Sequence, residues 1–129
     1  MKEVSVRTNS RIGMIDITSK IRNAVEELEI QNGVCTIYCP HTTAAITINE
    51  NADPDVVSDI LMKLNKLVPY QEGYSHMEGN ADAHIKSTLV GCSEQVIVEN
   101  GRLQLGTWQG IFFFEFDGPR NRRVWVSVR

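Results

Sequence analysis

The sequence lacks a long apolar run, a basic tail and an apolar leader. No window approaches the roughly 20 apolar residues of a transmembrane helix. The start, MKEVSVRTNS, alternates polar and apolar residues and has no signal-peptide core. The net charge is −3, and basic residues cluster only at Arg120–Arg123. These absences argue against membrane association and nucleic-acid binding, and they predict a cytoplasmic location.

Cysteine is scarce and the chain is short. The three cysteines are an odd number, which fits reduced thiols better than a disulfide framework. The 129 residues, 42% of them hydrophobic, predict one globular domain over residues 1–129. A (β/α)8 barrel is excluded because it takes about 250 residues. The sequence contains neither an HExxH motif nor a CxxC pair, the two common signatures of a metal site.

The spacing of apolar residues predicts the order ββ-α-ββ-α-α-ββββ. Helical spacing begins at Ile17 and again after Asp53-Pro54, a capping pair, and Asn80 can cap a third helix over Ala81–Val90. The strands come in neighbouring pairs with short turns such as Asn100-Gly101. We therefore expect an α+β fold with mostly antiparallel sheets and helices packed on one face.

One strand, Ile111–Phe114, is apolar on both of its alternating faces. Such a strand needs cover on both sides. The helices of the domain provide one cover. The other is a second sheet or another subunit, so the pattern is compatible with a homo-oligomer.

The only three histidines, His41, His76 and His84, all lie at predicted element boundaries. Three neutral imidazoles with an open fourth position make a catalytic-type zinc site. Their spacing is not a signature of metal binding, however. Separate surface or capping roles for the three side chains therefore stay open.

The segment EFDGPRNRR, residues 115–123, is the second candidate site. The turn Asp117-Gly118-Pro119 delivers Arg120 and Arg122 close together, and guanidinium groups bind phosphate oxygens in pairs of hydrogen bonds. Solvated surface arginines are the plainer interpretation. Glu115 is a carboxylate in a phenylalanine-rich strand, so it needs either an arginine partner or a role in proton transfer.

Taken together, four segments of the chain resemble the YjbQ family of small uncharacterised proteins. They are PHTTAAITINE (40–50), His76, GNADAHIKSTLVG (79–91) and GRLQLGTWQGIFFFEFDGPRNR (101–122). The resemblance implies an α+β domain that assembles as a homotrimer, which would cover the doubly apolar strand. It also implies a weak, secondary thiamine-phosphate synthase activity, a transferase reaction that joins a pyrimidine diphosphate to a thiazole phosphate and releases pyrophosphate.

The resemblance assigns roles to particular side chains. A divalent metal, zinc or magnesium, would be held by His41, His76 and His84, and a small phosphorylated metabolite would be the bound partner. Two alternatives stay open: a metal-dependent phosphate-ester hydrolase, and a non-enzymatic trimer that binds a metal or an anion. The proposed catalytic residues are His84, Glu115 and Arg120, and the proposed phosphate-binding residues are Arg120, Arg122, Thr42, Asn80 and Gln109.

Overall fold

A computed structural model describes all 129 residues, and its elements follow the predicted order. None of the three helices has the length and apolar character needed to cross a bilayer. The elements are β1 (Lys2–Arg7), β2 (Gly13–Asp16), α1 (Thr18–Leu28), β3 (Gly33–Tyr38), β4 (Ala44–Glu50), α2 (Pro54–Leu67), α3 (Ala81–Val90), β5 (Ser93–Glu99), β6 (Arg102–Leu103), β7 (Gln109–Glu115) and β8 (Asn121–Val128).

The strands form two sheets, and every strand pair is antiparallel. The large sheet has the order β1-β8-β3-β5-β6, and the small sheet has the order β2-β7-β4. Period-two alternation sets which side chains face inward. In β8, for example, Val124, Val126 and Val128 are buried while Arg123 is exposed. The predicted α+β fold with mostly antiparallel sheets is confirmed.

The doubly apolar strand β7 is covered on both sides by this chain itself. Ile111 and Phe113 join the main core between the two sheets, together with residues of β3 and β8. Phe114 joins a second cluster on the opposite face of the small sheet, where residues of α2 and α3 cover it. The large sheet is therefore the missing cover, and this strand supplies no argument for a neighbouring subunit.

The helices are distributed over two places, which refines the predicted arrangement. Helices α2 and α3 lie on the outer face of the small sheet. Helix α1 instead packs against the core between the sheets, where Ile21 and Val25 are buried. Its apolar residues recur at helical spacing and so form one stripe, which faces that core.

Candidate functional site

An open depression of about 350 Å³ lies at one end of the small sheet. Ala44 at the start of β4 pairs with Glu115 at the end of β7, so the turns that flank these residues meet at one edge. The start of α3 forms the third wall. The lining contains no apolar side chain except one proline, and it consists of Pro40–Thr43, Glu78, Asn80, His84, Asp117, Arg120 and Arg122.

A buried ion pair supports the wall of this depression. Nε of Arg122 donates to Oε1 of Glu115 over 2.9 Å, and a second guanidinium nitrogen donates to Oε2. Thr8 donates its hydroxyl to Oε1 over 2.7 Å, and the Asp117 N–H donates to Oε2. Arg122 also donates to the Thr43 hydroxyl over 2.8 Å. Each carboxylate oxygen of Glu115 therefore accepts two hydrogen bonds.

This pair differs from the predicted roles of its members. Glu115 is fully buried and does not line the depression, so no substrate in the depression contacts it directly. Arg122 does line the depression, but the residue is only 8% exposed and its guanidinium is already bound to Glu115 and Thr43. The strand pattern predicted a carboxylate that needs a partner, and of its two interpretations the arginine pairing is the one observed.

A second, more open group joins Asn80, Asp117 and Arg120. Asn80 Nδ2 donates to Asp117 Oδ2 over 2.8 Å. Arg120 donates to the Asp117 main-chain oxygen over 2.7 Å and to its carboxylate over 3.1 Å. Burial alone would raise the pKa of Asp117, but the hydrogen bonds from Asn80 and Arg120 hold that pKa below its ordinary value. Asp117 therefore stays ionised at neutral pH.

Asn80 stands at the N-cap of α3 as predicted, but its side chain does not cap the helix. The side chain turns towards Asp117 instead, and its Oδ1 is a buried acceptor that has no donor in this chain. An unpaired buried acceptor of this kind is uncommon in folded proteins. The Ala81 and Asp82 N–H groups also have no acceptor in this chain, as is usual in the first turn of a helix.

The His41 ring contacts the main chain of β8 at a position that β3 does not pair with. Strand β3 last pairs with β8 at Trp125, so Arg123 has no β3 partner. Nε2 of His41 lies 3.1 Å from both the Arg123 N–H nitrogen and the Arg123 carbonyl oxygen. This ring nitrogen therefore either accepts from the one or donates to the other, depending on the tautomer.

Burial and then the charge of Arg122 lower the pKa of His41, although the contact with Arg123 acts in the opposite direction. The folded protein binds this proton less readily than the unfolded chain, whose histidine pKa is about 6.5. Stability contributed by neutral His41 is therefore complete above about pH 6.5 and falls as the pH drops towards the folded pKa.

We expect His41→Asn to reduce the acid sensitivity of unfolding between pH 7.5 and 5, measured by urea titration. Parallel pH profiles for the two proteins would contradict this.

The predicted three-histidine metal site is not assembled in this chain. His76 and His84 pack edge to face with ring centroids 5.3 Å apart. One nitrogen of His41 is occupied by Arg123. No group of three or more His, Cys, Asp or Glu side chains is arranged to hold a metal ion. A zinc or magnesium ion stays a prediction, and no step below passes through one.

The other predicted residues divide between the depression and the far end of the sheet. Thr42 lines the depression and is exposed. Gln109 does not: it begins β7, six residues before Glu115, a separation of about 20 Å along an extended strand. Its side chain accepts from the Gly106 N–H and closes a local turn.

Two residues of the lining, Asp117 and Glu78, were not predicted as site residues, because each looked like an ordinary loop residue.

Residues 2–129 match the family model described as UPF0047 protein YjbQ-like. The UPF0047 protein YugU of Bacillus subtilis is 53% identical over 129 residues, covering 99% of this chain and 98% of YugU. A UPF0047 protein of Methanocaldococcus jannaschii is 54% identical over 123 residues, covering 95% of this chain and 89% of that protein.

Solved structures show the same architecture. A crystal structure of an uncharacterised YjbQ/UPF0047 family protein from Clostridium acetobutylicum superposes with a TM-score of 0.97 at 53% identity, over 100% of both chains. A YjbQ-like protein of unknown function from Sulfolobus solfataricus gives 0.94 at 35% identity, over 98% of this chain and 94% of that one.

Proposed function

Since this chain belongs to the UPF0047 family of YjbQ-like proteins, we propose that the depression at the start of α3 binds a small phosphorylated metabolite. One observation carries the proposal. Three separate segments bring two imidazoles and two guanidiniums to one polar depression, and the same lining includes Asn80, whose buried amide oxygen has no donor. Such convergence of polar groups at a concave surface is typical of a ligand site.

The positive part of the site suits a phosphate. Arg120 is 53% exposed at its side chain, so it can turn further donors to a ligand while it keeps its contact with Asp117. The unpaired amides of Ala81 and Asp82 lie at the positive end of the α3 dipole. His84 is in the same lining, beside the His76 ring.

The acceptor part of the site restricts the ligand further. Asp117 and Glu78 are carboxylates in the same lining, and Asn80 Oδ1 is an acceptor without a donor. A bare anion would therefore meet repulsion as well as attraction. A better fit is a phosphorylated molecule that also carries N–H or O–H donors, or a phosphate that arrives as its complex with a divalent cation.

The reaction that we propose is group transfer with pyrophosphate as the leaving group, as in thiamine-phosphate synthesis. Pyrophosphate leaves more readily when cationic donors neutralise the charge that develops on it, and Arg120 is placed for this. His84 can act as the general base that accepts the proton lost by the entering group. A phosphate-ester hydrolase would use the same two side chains with water as the entering group, and a non-enzymatic binder would use the donors alone.

Calorimetric titration with pyrophosphate, with and without magnesium, tests the binding site. We expect Arg120→Ala to weaken binding about 10- to 100-fold, because a charge-assisted hydrogen bond contributes about 1.5–3 kcal/mol. Arg102→Ala, on the β5–β6 hairpin away from the depression, removes the same charge and should leave binding unchanged. Equal losses in the two variants would mean that only net charge matters, and the site would be rejected.

Turnover is tested separately on the same proteins. The wild type is incubated with a pyrimidine diphosphate plus a thiazole phosphate, or with a simple phosphate ester, and released pyrophosphate or phosphate is quantified. Transfer that is lost in His84→Ala supports the transferase. Release from the ester alone supports the hydrolase, and binding without either product supports the non-enzymatic alternative.

A further inference from the structure

Two cysteines face each other across neighbouring strands beside the depression. Tyr38 pairs with Ser93 in the β3–β5 ladder, and the next position in the same register places Cys39 opposite Cys92. The Cys39 N–H donates to the Cys92 carbonyl oxygen over 2.7 Å, so the ladder continues through this pair. Both thiols are free.

Continuing the β3–β5 register one position beyond its last paired residues, Tyr38 and Ser93, would direct the Cys39 and Cys92 side chains to the same side of the sheet. Residues that are opposite in an antiparallel ladder share a face, and the inward pair Cys35 and Val96 lies four residues earlier in β3. Hydrogen-bonded antiparallel pairs have Cα atoms about 5.5 Å apart. Disulfides span Cα separations of roughly 4.4–6.8 Å. A hydrogen-bonded pair at this position therefore has the backbone separation that a disulfide can span.

We propose that Cys39 and Cys92 are an oxidation site, at which a peroxide converts the two thiols into a reversible disulfide across the ends of β3 and β5. The inference is independent of the proposed function. It rests on the strand register, the continuing hydrogen bond and the difference in exposure between the two thiols: Cys92 is exposed, whereas Cys39 is buried.

Exposure sets the order of the chemical steps. The Cys92 sulfur attacks one oxygen of the peroxide, the O–O bond breaks, and Cys92 becomes a sulfenic acid while hydroxide takes up the thiol proton as water. The Cys39 sulfur then attacks the Cys92 sulfur, the S–O bond breaks, and the Cys39 proton leaves with the hydroxide as a second water. Two thiols are oxidised and one hydrogen peroxide is reduced. Cys39 is buried, so a peroxide reaches it less readily than Cys92, and Cys39 is the resolving partner.

The Cys39–Cys92 disulfide would lie next to the polar depression described above and would restrain one of its walls. Cys92 lines an adjoining cavity of about 380 Å³ with Thr42 and His84. The Cys39 thiol lies 4.0 Å from the His41 carbonyl oxygen, and the bridge would remove that S–H donor. Oxidation would therefore tie the turn that carries His41 and Thr42 to the start of β5.

Peroxide treatment of the folded protein, followed by intact-mass measurement and peptide mapping, tests the site. The expected product is monomeric, is lighter by two hydrogen atoms, carries a Cys39–Cys92 peptide link and returns to the starting mass with a dithiol reductant. The matched control is Cys35→Ser, which removes the third cysteine, a buried one that faces Val96. This control should still form the bridge, whereas Cys92→Ser should not.

Cys39 is a core residue, so Cys39→Ser is accompanied by Cys39→Ala to preserve an apolar side chain. Neither variant should form the intramolecular bridge, while the Cys92 thiol in each should still become a sulfenic acid that a dimedone-type reagent traps. Three intact thiols in the treated wild type, a link that includes Cys35, or only intermolecular dimers would each overturn the proposal.

Discussion

Replacing Arg122 by methionine is expected to lower the free energy of unfolding by about 3–5 kcal/mol, because removal of one partner leaves a buried charge without compensation. Glu115 is fully buried, and Arg122 supplies two of the four hydrogen bonds that its carboxylate accepts. Thr8 and the Asp117 amide remain as neutral donors and cannot balance its charge. Urea denaturation followed by far-ultraviolet circular dichroism at pH 7 measures the change.

The double variant Glu115→Leu with Arg122→Met is the control for this prediction. Apolar replacement of a whole buried pair is often neutral or stabilising, so the double variant should be more stable than Arg122→Met alone. A double variant at least as unstable as the single one would show that the loss is one of packing.

The Glu115→Gln variant tests the predicted catalytic role of this carboxylate. If transfer activity falls while substrate binding and stability are retained, the Glu115 carboxylate takes part in proton transfer.

Replacing Asp82 by alanine is expected to destabilise the protein by a similar amount, about 3–5 kcal/mol at pH 7. Asp82 is fully buried in the first turns of α3, where it accepts from Arg11 over 2.9 Å and from Lys86 over 3.2 Å. Without it, Lys86 keeps only the Asn65 amide oxygen at 2.7 Å and faces the guanidinium of Arg11.

The sign of the pH dependence distinguishes this mechanism from a packing defect. Burial lowers the pKa of Lys86, and Asp82 acts against that shift, so the Asp82→Ala variant lowers the pKa further. The loss of stability should therefore be complete at neutral pH and should diminish as the pH rises through the folded pKa of Lys86. Urea titrations from pH 7 to 10 measure it.

Two further variants isolate the charge. Asp82→Ala combined with Lys86→Met removes the unpaired ammonium and should recover part of the stability at pH 7. Asp59→Ala deletes a carboxylate on the exposed side of α2 and should change stability by at most about 0.5 kcal/mol. A loss in Asp82→Ala that does not vary with pH would assign the effect to packing.

Much of the fold was predictable because its signals are local. Helix α3 begins and ends at the predicted residues, since glycine, proline and capping residues stop elements within a few positions. The doubly apolar segment Ile111–Phe114 lies within β7, which begins two residues earlier, at Gln109. The Gln109 side chain closes the preceding turn on the Gly106 N–H, a contact that apolar spacing does not report.

The candidate site was predictable in part. The turn at Pro40–Thr43, the start of α3 and the Asp117-Gly118-Pro119 turn were identified separately, and the β4–β7 register brings them together. The three-histidine ligand set stays a prediction: no group of three or more His, Cys, Asp or Glu side chains is arranged to hold a metal ion, and a contact from His41 to the Arg123 main chain, 82 residues away, uses one of its nitrogens.

The sequence by itself determined the order of the elements, the β5–β6 hairpin and the need to cover β7 on both faces. The other strand pairs join segments that are not neighbours in the chain, such as β1 with β8 and β2 with β7. Periodicity and turn chemistry act between residues that are close in the chain, so the features that the sequence determined can be recognised from short stretches of it. Only the tertiary structure decided that Arg122 and Thr8 bind Glu115, that Asn80 turns away from its helix towards Asp117, and that Cys92 faces Cys39. Those choices depend on charge, burial and hydrogen bonding between sheet edges, which exist only after distant segments have packed together.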